Sequence, residues 1–284
     1  MTISDLGLYG PESATWRVHG DPSMAIAGLR ALLLQALHPV AMAGVAANSG
    51  YRDDPWGRLQ RTIQYVGVTT FGTTEDADRA ASRVRRLHQR LSAVDPADGS
   101  IRRVDDPELL RWVHCCEVDS FLTTARRGGL RLTAAQANRY LAEQVQSALL
   151  IGLEPGMVPK TTTQLAGYFD DIRPQLRATR SAYEGLCLLT APPMRWWVRY
   201  ATPAAPTWAA LVGLGFGLLP GWARRLYTHL PSLPGTELTA TVSLRALRAA
   251  ALALPAPLRE GPELRAAKAR VAAVPVRRLN ALPA

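Results

Sequence analysis

Apolar residues recur three and four positions apart through most of this chain, and almost no stretch alternates apolar with polar over the length of a strand. A helix repeats every ~3.6 residues and a strand every ~2, so the pattern predicts an all-α fold, one multi-helix domain over residues 1–284. With 284 residues and 48% hydrophobic content the chain can bury a substantial core without a disulfide or structural metal. Cys115 and Cys116 are adjacent and poorly placed to bridge, Cys187 stands apart, and no Cys-x-x-Cys pair suggests zinc. Met1 to Asp21 shows no basic segment followed by an apolar run. Both features lead us to expect a reducing, cytoplasmic setting.

A net charge of +10 raises the question of nucleic acid. Almost all the cations are arginine, with lysine only at 160 and 268, and they are spread through amphipathic segments. No recognition-helix motif, zinc finger or aromatic-basic platform accompanies them, so nucleic acid is not an expected partner.

The first buried helix is predicted over Pro22–Leu37, ending near His38 because Pro39 disfavours helical geometry before it. A second follows over Val40–Asn48, stopped by Asn48-Ser49-Gly50, and a third over Gly57–Phe71. Thr74 with its following acids starts a helix to about Leu91 whose end is crowded with arginines, as the helix dipole favours. Asp95–Asp106 is read as a loop, and Asp106-Pro107-Glu108 opens a helix to about Arg126. Further helices are expected over Ala134–Leu150 behind the Thr133 cap, Thr163–Leu176 and Thr236–Leu254, before a basic tail from Pro255 to Ala284.

No charged residue lies between Arg199 and Arg224, yet Pro203, Pro206, Gly213, Gly215, Gly217, Pro220 and Gly221 interrupt that run. Its unbroken apolar part is shorter than the ~20 residues of a spanning helix. A buried helix or helical hairpin is expected, with a peripheral membrane contact as the alternative.

The common catalytic signatures are missing: no Gly-x-Ser-x-Gly elbow, phosphate loop, dinucleotide fingerprint or His-Glu-x-x-His. Arg58, Arg61 and Thr62 share one helical face beside Tyr65, either as a solvated face or lining an internal polar pocket for an anionic group or bound oxygen. His88, near a helix end among arginines, is either a surface residue or an inward axial ligand. His114, among Trp112, Val113, Cys115 and Cys116, is expected to be buried and neutral, for metal ligation or a structural hydrogen bond. His38 suits capping at a helix end, and His19 and His229 carry no supporting pattern.

Several segments in order resemble one family: Gly20-Asp21-Pro22, Arg30 to Pro39, Arg58-Leu59-Gln60-Arg61-Thr62, Phe71-Gly72-Thr73, Arg85-Arg86-Leu87-His88 and Asp106 to His114. Together they are similar to the catalytic domain shared by MpaB-type oxygenases and latex-clearing rubber oxygenases, over about residues 16–180 with a helical extension over about 181–284. The resemblance implies a globin-reminiscent helical domain holding one haem b, with dioxygen as co-substrate. It implies His88 as the iron ligand with His114 as competitor, and Arg58 and Thr62 as distal residues, with Arg61 where the family carries lysine. His38 and Tyr65 complete the cofactor-binding candidates. The glutamate used as a base in rubber cleavage has no counterpart upstream of Arg58, where only Asp53 and Asp54 stand. The expected substrate is therefore a small hydrophobic molecule rather than polyisoprene. The alternatives are a non-catalytic helical protein that holds haem or another ligand, and a cofactor-free scaffold meeting membranes or partners through its arginines and the Pro203–Trp222 segment.

Overall fold

The structure is a computed structural model that describes residues 5–48, 50–228 and 235–273. The expectations at Ser49, at His229 and for the tail beyond Ala273 lie outside the described residues. Helices dominate, in the order α1 (Ala14–His19), α2 (Met24–Gln35), α3 (Pro39–Asn48), α4 (Pro55–Phe71) and α5 (Thr74–His88). A short hairpin, β1 (Ser92–Val94) and β2 (Ile101–Arg103), leads into α6 (Pro107–Gly128). Then come α7 (Ala134–Glu143), α8 (Val145–Leu150) and α9 (Thr162–Ile172), extended by a 3-10 turn (Arg173–Gln175). The chain finishes with α10 (Arg180–Thr190), α11 (Trp196–Ala201), α12 (Ala204–Gly217), α13 (Gly221–Thr228), α14 (Thr236–Ala253), α15 (Ala256–Arg259) and α16 (Pro262–Ala272).

The predicted elements recur with small shifts, and each shift has a local cause. Thr73 rather than Thr74 caps α5, its hydroxyl accepting from the Asp76 amide. The helix expected over Ala134–Leu150 breaks at Gln144, which is buried and donates to the Thr15 hydroxyl at 3.0 Å. The loop expected at Asp95–Asp106 belongs to an antiparallel hairpin that pairs Ser92 with Arg103 and Val94 with Ile101. Three-residue strands are too short to show periodicity. No single described helix is long and apolar enough to cross a membrane. The uncharged run between Arg199 and Arg224 folds back as α12 and α13, bent by 119°.

The centre of the molecule is α2 packed along α6, with α12 on the other side of α2. Leu33, Leu34 and Leu37 meet the same core as Trp112, Cys116 and Phe121. The fully buried Trp112 anchors the two helices by donating its indole N–H to the Gln35 carbonyl at 3.0 Å. Gly215 lets α12 approach α2: a Cβ there would meet the Leu29 Cβ at 3.2 Å and the Arg30 amide nitrogen at 3.3 Å.

Three arginines converge on the C-terminal end of α12, where helix carbonyls lack intrahelical partners. Arg30, only 2% exposed, donates from Nε to the Leu218 carbonyl at 3.0 Å, and Arg127 reaches the same oxygen at 3.3 Å. Arg224 donates to the carbonyls of Gly217 and Leu219. Arg30 also donates to the Ser120 hydroxyl at 2.6 Å and to the Asp119 carboxylate at 2.7 Å, tying α2 to α6 and to the α12 end together. Removing Asp119 leaves a buried guanidinium without its counter-charge, so Asp119→Ala should destabilise the fold by about 3–5 kcal/mol. Urea unfolding of the variant measures this; a loss under ~1 kcal/mol would mean that the two carbonyl and hydroxyl acceptors suffice for the cation.

Candidate functional site

Helix α4 starts where Asp54 accepts from the Gly57 amide at 2.9 Å, with Pro55 at its first position. It packs chiefly on α5, with α1 and α16 also against it, and the face it turns toward α6 borders two cavities in succession. Arg58, Leu59 and Thr62 line the first, and Tyr65, Val66 and Thr69, one to two turns further on, line the second. Across the seam, Val113 of α6 borders the first cavity, and His114 and Glu117 border the second.

The first cavity has a volume of about 150 Å³ and mostly apolar walls from α2, α3, α10 and α12, including Leu32, Met42, Val45 and Leu189. Trp56 and Trp208, both partly exposed, line one side of it, their rings meeting edge-on at 4.8 Å. Their indole N–H groups donate to the carbonyls of Pro193 and Leu189 at 2.8 Å and 2.7 Å, which holds both rings in place. The polar groups on the walls are few. Tyr51 is buried and its hydroxyl has no hydrogen-bond partner among the described residues. Burial lowers the Arg58 pKa from the usual guanidinium range, which still leaves a cation offering donors and no acceptor. Thr62 donates its hydroxyl proton to the Arg58 carbonyl at 3.0 Å, so toward the cavity it presents lone pairs alone.

The second cavity, about 20 Å³, has room for about one water. It is lined by polar groups that the fold has taken out of solvent: His19, Tyr65, Thr70, His114, Glu117 and Ser147. His19 is held by Thr70 at 2.8 Å and Tyr140 at 3.1 Å, and burial pushes its pKa down to about 3. His114 is 5% exposed, makes no hydrogen bond among the described residues, and is pushed down by burial to about 4. Glu117 borders the cavity with part of its side chain while its carboxyl is enclosed, near the hydroxyls of Tyr9, Tyr65 and Tyr140; burial pushes it up to about 7.

The remaining expected residues fall elsewhere. Arg61 points outward and pairs with Asp54 at 3.2 Å, so the structure does not bring it to either cavity. That acid lies about two turns back, at the N-cap of α4. His38 is buried beside Trp112, at 6.0 Å between rings, and accepts from the Ala41 amide at 3.4 Å; it caps the start of α3 rather than the carbonyls of α2. His88, half-buried at the end of α5, lines neither cavity; burial lowers its pKa, opposed by nearby Asp105. Sequence reasoning missed Tyr51, His19 and Glu117. Only Glu117 left a signal, as an acid three residues after His114 and four before Phe121, on the face of α6 that turns inward.

Among the described residues no three His, Cys, Asp or Glu side chains cluster as metal ligands. A haem brings four nitrogens of its own and asks the protein for an axial side chain and apolar walls. In chemistry one residue of the seam fits that demand: His114, a neutral imidazole without a hydrogen-bond partner among the described residues, borders the second cavity next along the seam from the apolar one, whereas His88, also depressed by burial, stands outside both cavities at the end of α5.

A carboxyl whose folded pKa is raised holds its proton in the native state while the unfolded chain releases it, so its contribution to stability falls with rising pH between the ordinary value of 4.5 and about 7. His114 and His19, depressed by burial, contribute the opposite slope below about 6.5. Comparing Glu117→Gln with the unaltered chain cancels the histidines. The variant should match it near pH 4 and exceed it by on the order of 2–3 kcal/mol at pH 8. Chemical denaturation at the two pH values checks this, and an equal difference at both would show that the carboxyl does not titrate as described.

A family model described as the catalytic domain of the ER-bound oxygenase mpaB/B′ and rubber oxygenase matches residues 16–254. No curated protein and no solved structure matches the chain.

Proposed function

The chain belongs to the family of MpaB and rubber oxygenase catalytic domains, and on that premise we propose that it is a haem-b-dependent oxygenase acting with dioxygen on a small hydrophobic substrate. The observation that carries this reading is the α4–α6 seam, where an apolar cavity with Arg58, Thr62 and Tyr51 on its walls adjoins buried neutral histidine.

In this reading haem b would supply the iron chemistry with dioxygen, and the residues that would hold it are His88, at the end of α5, and its competitor His114, which borders the seam. The chain's own residues do the rest. The walls formed by Leu32, Met42, Val45 and Leu189 accept an apolar body and exclude water. Arg58 offers fixed donors to an anionic group or a developing negative charge, which a cation in an apolar cavity stabilises more than it would in water. The Tyr51 hydroxyl, without a partner among the described residues, gives a substrate one directional contact, so a molecule with a single polar end is oriented rather than merely absorbed. Arg58 cannot accept a proton, and Asp54 is committed to Arg61 and the Gly57 amide. That leaves Glu117, enclosed at the next cavity along the seam, as the carboxyl that holds or releases a proton near neutral pH.

The test is spectroscopic. Purified protein supplied with haem should show a Soret band, His88→Ala should abolish it, and His114→Ala should retain it. The converse pattern moves the iron ligand to His114, while protein that stays colourless with ample haem removes the haem reading. Ferrous holoprotein that persists unchanged in air would point instead to a ligand carrier without turnover.

A further inference from the structure

We propose that α11 is a docking patch that seats the Trp56 side of the apolar cavity on an anionic lipid surface. Trp196 is 75% exposed, Trp197 48% and Tyr200 79%. Trp196 and Tyr200 are four apart and stack on one helical face, with Trp197 adjoining. Aromatic rings with one polar edge are stable at the headgroup level of a bilayer, where the ring meets acyl chains and the N–H or O–H stays wet. In water the same three rings are an unrelieved apolar surface.

Charge favours the same occupant. From Gly185 to Thr236 the chain has no Asp or Glu, while Arg195 and Arg199 flank the tryptophans. Two acids of neighbouring segments are paired within the protein: Asp54 with Arg61 at 3.2 Å, and Glu184 with Arg52 at 2.7 Å and Arg180 at 3.0 Å. Exposed arginine beside tryptophan suits phosphate headgroups, which it can bind through paired N–H donors. A second copy of this chain is a poorer occupant. Three aromatic side chains supply at most roughly 500 Å², short of the ~800 Å² per partner of a stable interface.

The patch is continuous with the cavity. Pro192 lies on the cavity wall and accepts from Arg199 at 3.5 Å, and the Pro193 carbonyl holds the indole of Trp56, which lines the same cavity and is 38% exposed. Docked through α11, the Trp56 side of the cavity would face acyl chains, and an apolar substrate dissolved in the bilayer would reach it without crossing water. The lipid contact itself does not rest on the haem reading, because vesicle binding and the Soret band are measured separately.

Flotation of the full chain with vesicles of phosphatidylcholine alone, and of phosphatidylcholine with phosphatidylglycerol at about 3:1, tests the proposal. We expect the protein to float with the anionic vesicles and at least tenfold less with the neutral ones. The triple variant Trp196→Ser, Trp197→Ser, Tyr200→Ser should lose at least tenfold of the anionic binding with an unchanged circular dichroism melt, and Arg195→Glu should weaken it several-fold by itself. A folded triple variant that floats like the unaltered chain overturns the proposal, as does a wild-type protein that binds neither vesicle. So does a dimer, seen by sedimentation, that the triple variant converts to monomer without any lipid binding; the patch would then be a self-association face.

Discussion

The arrangement depends on a cluster of guanidinium groups inside the protein. Arg30, Arg127 and Arg224 together satisfy the carbonyls of Gly217, Leu218 and Leu219, where α12 ends beneath the surface. An apolar helix that stops in the interior strands several acceptors, and each would cost its full desolvation if left alone. Arginine is the side chain suited to this, because its donors radiate in a plane and its charge matches the negative end of the helix dipole. Two of the three cations need acids of their own, supplied by Asp119 and Glu237. Part of the chain's positive charge is thus structural.

The packing of α2 on α6 and of α12 on α2 that follows from this cluster also decides where space remains. Helix α4 lies against α5, α1 and α16, and toward α6 it leaves a seam with one apolar and one polar cavity. Arg58 and Thr62 are one turn apart and reach the first; Tyr65 and Thr69 continue the same stripe into the second. The two environments therefore follow from one helical face running past a neighbour whose own residues change from Val113 to His114 and Glu117. Burial keeps both histidines on the second cavity neutral and keeps the glutamate partly protonated near neutrality, so the seam joins an apolar chamber to a place where a proton can be stored.

The histidines show how far reading by position reaches. His114 was legible as buried, since a residue between Trp112, Val113, Cys115 and Cys116 on a long amphipathic helix has no route to solvent. His38 was legible as a cap, but which helix it would cap depends on the direction its ring takes, and it serves the amide of Ala41. His19 left no pattern, because its partners Thr70 and Tyr140 come from helices 51 and 121 residues away. Arg61 and Arg58 are indistinguishable by spacing, yet a loop carboxylate draws the first outward while the second turns in.

From the chain alone came the helical class, most helix boundaries set by Pro, Gly and capping Thr or Asp, the family resemblance carried by short ordered motifs, and the stripe of Arg58, Thr62 and Tyr65. These are local matters, governed by periodicity, backbone geometry and hydrogen bonds within a few residues. The two cavities, the burial of the Tyr51 hydroxyl, the elevated Glu117, the buried role of the arginines and the exposure of Trp196, Trp197 and Tyr200 were decided by tertiary structure. Each depends on which distant helices close over a residue, and burial, desolvation and partner choice are properties of the assembled neighbours rather than of the order of residues along the chain.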